Sequence, residues 1–107
     1  MRKPTDKEIN LINFLIERSS FDFGNNWSMD LLVSDMNDGE MGSLILYPNG
    51  ITEVNRIFGD QISDYQFTDS DEVVVIASLN IDTNGFLFEL DIWKTNFEKL
   101  INYPCIL

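Results

Sequence analysis

Acidic side chains are the groups in this sequence with the clearest potential for chemistry. A carboxylate can attract a basic partner, act as an acid or base in hydrolysis, or help to bind a metal ion. Two acids alternate with a tryptophan near the C-terminus, and a second acidic run precedes them. Together they form one candidate interaction surface, which consists of Glu89, Asp91, Trp93, Asp69, Asp71 and Glu72. An aromatic anchor flanked by acids suits a basic or polar partner, whereas a solvated sheet face is the simpler explanation of the same pattern.

Several kinds of catalysis are excluded by the residue types of the chain. The sequence has no histidine, so a Ser–His or Cys–His nucleophile pair cannot form. Cys105 is the only cysteine, and zinc sites need clusters of cysteine and histidine. No glycine-rich phosphate loop occurs. We therefore expect no cofactor, and we regard Cys105 as an inert thiol.

Carboxylate chemistry remains an alternative. An EF-hand loop that began at Asp35 would need glycine at its sixth position and glutamate at its twelfth, which are occupied by Glu40 and Leu46. Two acids that meet in space can still support hydrolysis or metal binding. The acids considered for this role are Asp35, Asp38, Glu89 and Asp91.

The charge of the chain is strongly negative and unevenly distributed. The net charge is −11, and the stretch from Asp22 to Asp91 has 14 acidic residues and one basic residue, Arg56, which gives −13. Such a charge repels phosphate backbones, so we expect no nucleic-acid partner, and it attracts a basic protein. Solubility alone is the simpler reason for an acidic composition.

We also expect no membrane partner. No apolar run approaches the roughly 20 residues that span a bilayer. The first residues, Met1 to Asp6, lack the apolar core of a secretory signal. Because the chain also has a single cysteine, a cytoplasmic location is the expectation.

A helix and a hairpin are predicted in the first half of the chain. Thr5 and Glu8 have the spacing of a capping box, and apolar residues recur at helical spacing up to about Ser19. Two strand-like segments, 29–36 and 41–47, then flank an Asp-Gly turn. The first half should therefore form a helix followed by two antiparallel strands.

A second hairpin spans Val73 to Lys94 around Asn84-Gly85, which is a strong signal for a two-residue turn. Alternation divides its strands into an apolar face and a half-polar face. The apolar face should form the floor of the core, with Val73, Val75, Ala77, Leu79, Ile81, Phe86, Phe88, Leu90 and Ile92.

The turn also sets the pairing of this hairpin. A two-residue loop pairs Ile81 with Phe88, and a four-residue loop pairs Ile81 with Phe86 while keeping the same faces. On the half-polar face, the two-residue loop pairs Asn80 with Glu89, Ser78 with Asp91 and Ile76 with Trp93.

Two segments complete the predicted fold, which is of the α+β class. Residues 51–68 fit either a short helix interrupted at Gly59 or an extended edge segment over 62–68. Residues 96–102 predict one or two helical turns with Phe97, Leu100 and Ile101 on the inner side. We expect residues 1–107 to form a single domain, in which the N-terminal helix packs on an antiparallel sheet of about four strands and a short C-terminal helix follows.

The closing segment resembles a small bacterial family of unknown function. The residues that carry the resemblance are GFLFELDIWK at 85–94, followed by Asn96-Phe97 and Leu100-Ile101, in the pattern LFELDxWKxxFxxL. The resemblance implies a compact α+β domain with no assigned activity and no catalytic residues. Members of that family are similar in size and acidity to immunity proteins of bacterial toxin systems.

Three functional hypotheses arise from the sequence. The first is a small, acidic, non-enzymatic module that binds a basic protein, as an immunity protein would. The second is a small enzyme or metal-dependent domain that uses carboxylates. The third is a self-associating domain, in which a strand edge or the face of Trp93 forms a homodimer.

Overall fold

A computed structural model of the protein describes residues 1–53 and 55–104. One helix precedes five strands, and all strand pairs are antiparallel in one sheet of order β1-β2-β5-β4-β3. The elements are α1 (Asp6–Arg18), β1 (Leu32–Asp35), β2 (Leu44–Tyr47), β3 (Phe58–Thr68), β4 (Val74–Asp82) and β5 (Leu87–Lys94), with a single 3₁₀ turn at Pro48–Gly50. The α+β class is confirmed.

The predicted N-terminal helix is confirmed, including its capping box. The Thr5 hydroxyl accepts the Glu8 backbone N–H at 3.2 Å, and the Glu8 carboxylate accepts the Thr5 backbone N–H at 2.8 Å. These bonds satisfy two N–H groups that a helix start leaves without partners. The apolar side of α1 lies against β3 and β4, and it buries Leu11, Ile12, Leu15 and Ile16. No helix in the described part of the chain is both long enough and apolar enough to cross a membrane.

The prediction of about four strands was wrong, because residues 58–68 form a fifth strand. β3 has 11 residues and pairs with β4 from Phe58 to Thr68, with two irregularities in register. Gly59 allows the backbones of β3 and β4 to approach each other closely, since a Cβ at this position would lie 2.4 Å from the Asp82 carbonyl oxygen. The alternative of a short helix is excluded for residues 58–68. Val54, an apolar residue that this helix would also contain, lies outside the described residues. Pairing with β4 along the whole segment gives one side of its backbone regular hydrogen bonds, and this long-range pairing overrides the irregular apolar spacing.

The prediction of a C-terminal helix was also wrong: no helix follows β5 in the described residues up to Pro104. Residues 95–104, which we call the C-terminal strap, instead cross the core side of the sheet. The backbone N–H of Leu100 donates to the Glu40 carbonyl at 3.2 Å, and the Tyr103 hydroxyl donates to the Gly42 carbonyl at 3.1 Å. Leu100 and Tyr103 pack on the core, so contacts with distant residues replace the local bonds of a helix.

The hairpin between β4 and β5 is confirmed over most of its length and wrong next to its turn. Leu79 pairs with Leu90 and Ala77 with Ile92, as the sequence predicts. Near the turn, however, Ile81 pairs with Leu87. As a result Leu87 is buried in the core, whereas Phe86 is 43% exposed.

The loop length explains this difference. The Asp82 backbone N–H donates to the Phe86 carbonyl at 2.9 Å, so the loop has three residues and not two. Gly85 takes the left-handed conformation with φ +85°, which is typical of a three-residue hairpin loop. The extra loop residue moves the register by one, and an irregularity at Phe88 restores it.

Replacing Gly59 with alanine should lower the free energy of unfolding by about 1–3 kcal/mol, because the new methyl group would overlap the Asp82 backbone. Urea unfolding measures this loss. The control is Asp60→Ala at the next position of β3, which is exposed and should change stability by no more than about 0.5 kcal/mol. Equal stability of the two variants would contradict the close approach of β3 and β4.

Candidate functional site

The face of the sheet opposite α1 carries half of the predicted interaction surface. Because core residues alternate with outward residues along each strand, the side chains between Leu79, Leu90 and Ile92 point away from α1. No helix of residues 1–53 and 55–104 packs on this side. We call it the open face, and define it by Ile45, Asp64, Gln66, Ile76, Ser78, Asn80, Glu89, Asp91 and Trp93. The predicted pairs Asn80–Glu89, Ser78–Asp91 and Ile76–Trp93 are confirmed.

Exposure on the open face increases along β5. Asn80 is buried at one end of the face, where its side-chain amide is 3.5 Å from the half-buried Glu89 carboxylate. Asp91 is exposed, and its carboxylate has a long contact of 3.4 Å with the Ser43 hydroxyl. The end of the face that carries Asp91 and Trp93 is therefore the accessible end.

Trp93 and Phe97 form an exposed aromatic pair at this accessible end. Their ring centres are 6.2 Å apart and the rings are inclined at 53°. Trp93 is 44% exposed and Phe97 is 70% exposed. Phe97 also has φ +62°, a conformation that is unfavourable for a bulky residue. The prediction that Phe97 lies on the inner side of a helix is therefore wrong.

The other three predicted site residues lie elsewhere. Asp69, Asp71 and Glu72 are in the turn between β3 and β4, and the first two bind Lys94. Lys94 follows Trp93 in the strand, so its side chain points to the core side. Asp69 is only 4% exposed and its carboxylate is engaged inside the protein, while Glu72 is exposed. The structure therefore brings Glu89, Asp91 and Trp93 together and separates them from the acidic turn.

The buried ammonium group of Lys94 has three acceptors. Its Nζ is 2.8 Å from Asp69 Oδ2, 2.7 Å from Asp71 Oδ2 and 3.0 Å from the Lys99 carbonyl oxygen. The Asp69 carboxylate accepts two further bonds, from the backbone N–H groups of Ile101 at 2.8 Å and Asn102 at 3.0 Å. The cluster of Lys94, Asp69 and Asp71 thus attaches the C-terminal strap to the sheet.

Hydrogen bonds determine the charge state of this cluster. Burial alone would raise the pKa of Asp69, but bonds from the Ile101 N–H and the Lys94 ammonium outweigh it and hold that pKa well below its usual range. Burial would likewise lower the pKa of Lys94, but its bonds to Asp69 and Asp71 raise it above the usual value. Both groups are therefore charged at neutral pH.

Two structural cations were missed by the sequence analysis, although each has a signal. Lys94 continues the apolar series of Leu90 and Ile92, and a lysine in such a series indicates a buried ion pair. Arg56 is the one base in the acidic stretch, and its Nε lies 2.9 Å from Asp82 Oδ2. Its guanidinium also donates to two backbone carbonyls, those of Leu46 and Leu87.

The acids considered for carboxylate chemistry have separate structural contacts. Asp35 binds Arg2 at 2.8 Å, and the pKa of Asp35 is lowered by that hydrogen bond. The Asp38 carboxylate accepts the backbone N–H groups of Met41 and Ser43 at 3.2 and 3.1 Å. Among the described residues, no group of three or more acidic, histidine or cysteine side chains could hold a metal ion.

Asp69→Asn should destabilise the protein by about 3 kcal/mol, because it removes a charged partner from a buried ammonium group and weakens the attachment of the strap. Urea unfolding measures the loss, and hydrogen exchange should show faster exchange at Ile101 and Asn102. Asp30→Asn, in an exposed loop, is the matched control and should leave both measurements unchanged. Unchanged exchange at Ile101 in Asp69→Asn would contradict the role of this carboxylate.

The stabilising effect of Asp69 should also depend on pH in one direction. A lowered folded-state pKa gives stability that is complete above the unfolded value of about 4 and is lost as the pH falls below it. The difference in unfolding free energy between the wild type and Asp69→Asn should therefore shrink as the pH falls from about 5 to about 2, because the unfolded chain takes up a proton at Asp69 in this range while the folded protein keeps the carboxylate charged. Urea unfolding at each pH measures it, and a constant difference would argue against this assignment.

No curated protein and no solved structure matches the chain. A family model described as "Domain of unknown function (DUF6984)" matches residues 1–104. The match agrees with the resemblance of the closing segment to an uncharacterised family, and it covers the helix, the sheet and the strap. The chain therefore belongs to this family of domains of unknown function.

Proposed function

We propose that this protein is a small acidic binding domain, without enzymatic activity, whose open face binds a basic protein. One observation carries the proposal: the exposed pair of Trp93 and Phe97 lies beside the exposed Asp91, on a sheet face that no described helix covers. Large aromatic side chains next to charged groups are frequent where most of the binding energy of an interface is concentrated.

The internal ion pairs support the sign of the partner's charge. Most basic residues of the chain are used within it: Arg2 pairs with Glu8 and Asp35, Arg56 with Asp82, Lys94 with Asp69 and Asp71, and Lys99 with Glu40. None of the ion pairs of residues 1–53 and 55–104 involves Asp64, Glu89 or Asp91. The open face therefore keeps negative charge that a basic partner would neutralise.

An acidic domain that binds a basic protein resembles, in this respect, an immunity protein that binds a bacterial toxin, and a bacterial cytoplasm is the location that we propose. Electrostatic attraction of this kind increases the association rate and weakens as salt screens charges over about 8 Å at physiological ionic strength. Salt sensitivity is thus a property that the proposed complex must have.

Charge reversal on the open face should remove binding of a basic protein. Tagged wild type, Asp91→Lys and Glu17→Lys are used for capture from the native organism at low and at high salt. Glu17 is an exposed residue of α1, on the other side of the sheet, so Glu17→Lys changes the net charge equally. We expect wild type and Glu17→Lys to retain the same basic protein at low salt, and Asp91→Lys to retain at least about tenfold less.

Two results would overturn the proposal. One is that at neither salt concentration is a basic protein captured in a way that depends on Asp91. The other is that Glu17→Lys and Asp91→Lys lose the same protein to the same extent, because net charge and not the open face would then determine capture.

Self-association is the second candidate function, and one observation favours it. β3 is an edge strand of 11 residues, and no strand of the described residues pairs with its outer side. In an antiparallel β3–β3 pair centred at Ile62, however, Asp60 of each copy would face Asp64 of the other, which is unfavourable. Light scattering distinguishes the two candidates: a monomer at all concentrations agrees with the first, and a homodimer with the second.

A further inference from the structure

The accessible end of the open face has the parts of a site for one planar cation. Trp93 and Phe97 present two inclined rings, 6.2 Å apart, to solvent. Asp91 lies two residues before Trp93 on β5, so both side chains leave the same face about 7 Å apart. A cation that covers the Trp93 ring would therefore have the Asp91 carboxylate within reach.

We propose that Trp93, Phe97 and Asp91 bind the side chain of an arginine of the basic partner. The guanidinium stacks on the exposed face of the Trp93 ring and donates hydrogen bonds to the Asp91 carboxylate, and Phe97 borders it at one edge. The inference rests on the proposed function, because it names the anchoring residue of the same partner. Arginine fits better than lysine, because its planar group can stack and donate two parallel hydrogen bonds at once.

The protein uses the same combination in its own interior. Arg56 lies over the Phe88 ring at 5.0 Å from its centre, and its Nε binds Asp82 at 2.9 Å. An arginine is thus held between an aromatic ring and a carboxylate inside this fold. On the open face, Trp93 and Asp91 supply the ring and the carboxylate, and the arginine would come from the partner.

The second arginine with an aromatic contact shows that two rings can share one guanidinium. Arg18 lies 5.4 Å from the centre of the Phe14 ring and 5.6 Å from that of Tyr65. Those two rings are 4.7 Å apart in an edge arrangement. The 6.2 Å spacing of Trp93 and Phe97 is wider, so the pair leaves more room for a planar group beside it.

The backbone at Phe97 is a separate observation that points to this role. Phe97 has φ +62°, and its N–H donates to the Lys94 carbonyl at 2.8 Å in a tight turn. Glycine or asparagine suits that position, and a phenylalanine there that is 70% exposed gains little from burial in the free protein. A strained residue that holds its ring in solvent beside a tryptophan is typical of a ligand contact.

The test uses defined probes and not a captured protein. Three peptides of alternating glycine and a second residue are compared, where the second residue is arginine, lysine or citrulline. Each is titrated into the full chain, and the NMR signal of the Trp93 indole N–H reports binding. The Trp27 indole N–H, which is bonded to Asn13 at 3.3 Å, serves as the internal reference. We expect the arginine peptide to shift Trp93 and Phe97, the lysine peptide to bind about fivefold more weakly, and the citrulline peptide to give no shift.

Matched variants separate the aromatic contribution from the charge. Trp93→Leu keeps an apolar side chain but has no ring, and it should weaken the binding of the arginine peptide about tenfold. Phe86→Leu is the control, because Phe86 is 43% exposed and lies at the hairpin loop. Asp91→Asn should also weaken binding and should reduce the preference for arginine over lysine. Neither Trp93 nor Phe86 belongs to the hydrophobic core, so both substitutions should leave the fold intact, and the amide spectrum of each variant checks this.

The outcomes distinguish this inference from the proposed function. Equal binding of arginine and lysine peptides, or unchanged binding in Trp93→Leu, would overturn the arginine site while the charge-dependent capture by Asp91 still stood. Loss of that capture together with an intact, Trp93-dependent arginine preference would overturn the proposed function and leave the arginine site. Shifts spread over all acidic residues without a change at Trp93 would count against the site.

Discussion

The ammonium group of Lys94 is removed from water at the point where β5 leaves the core, and the C-terminal part of the structure depends on how that charge is compensated. A buried ammonium group is strongly unfavourable unless its protons and its charge find partners. Lys94 has three protons and three acceptors, two of them carboxylates. Asp69 then also binds the backbone of Ile101 and Asn102. The same carboxylate that compensates the lysine therefore holds the strap.

That attachment completes the core. α1 lies mainly over β3 and β4, and the strands β5 and β2 need another cover on the same side. Leu100 and Tyr103 of the strap supply it, and a side chain at Gly42 would already contact both of them at 3.3 Å. The strap can cover the core without regular secondary structure because its backbone N–H groups donate to the turn before β4 and to the loop before β2.

Local patterns in the sequence predicted the elements whose bonds are local. The capping box of Thr5 and Glu8 and the pairing of Leu79 with Leu90 both follow from spacing within a few residues or from alternation. The three-residue loop depends on Asp82, whose carboxylate accepts the N–H groups of Asn84 and Phe86 and also binds Arg56. No pattern around Asn84-Gly85 reveals an arginine 28 residues away, so the sequence predicted a loop of two or four residues and not of three.

In the candidate site, too, local patterns were predicted correctly and long-range contacts were not. Alternation along β5 placed Glu89, Asp91 and Trp93 on one face, and the structure does so too. The assignment of Phe97 to a helix failed because the helical pattern cannot account for the bonds from residues 100–102 to Glu40 and Asp69. The role of an acidic residue depends on its partner in space, which the sequence does not show. Nothing in the local sequence distinguishes Asp69 from Asp91. Only the position of the Lys94 side chain shows that Asp69 is a structural acid.

The buried cluster and the exposed aromatic pair are also linked through the backbone of β5. Lys94 and Trp93 are neighbours, so turning the lysine inward turns the tryptophan outward. The Lys94 carbonyl accepts the Phe97 N–H at 2.8 Å, which fixes the turn that brings the second ring to the first. The strap then holds this turn from its other end, where Asp69 binds Ile101. A binding surface that consists of two exposed rings requires such support, since neither ring is fixed by burial. The internal ion pair therefore positions the side chains to which we assign recognition, although it takes no part in contacting a partner.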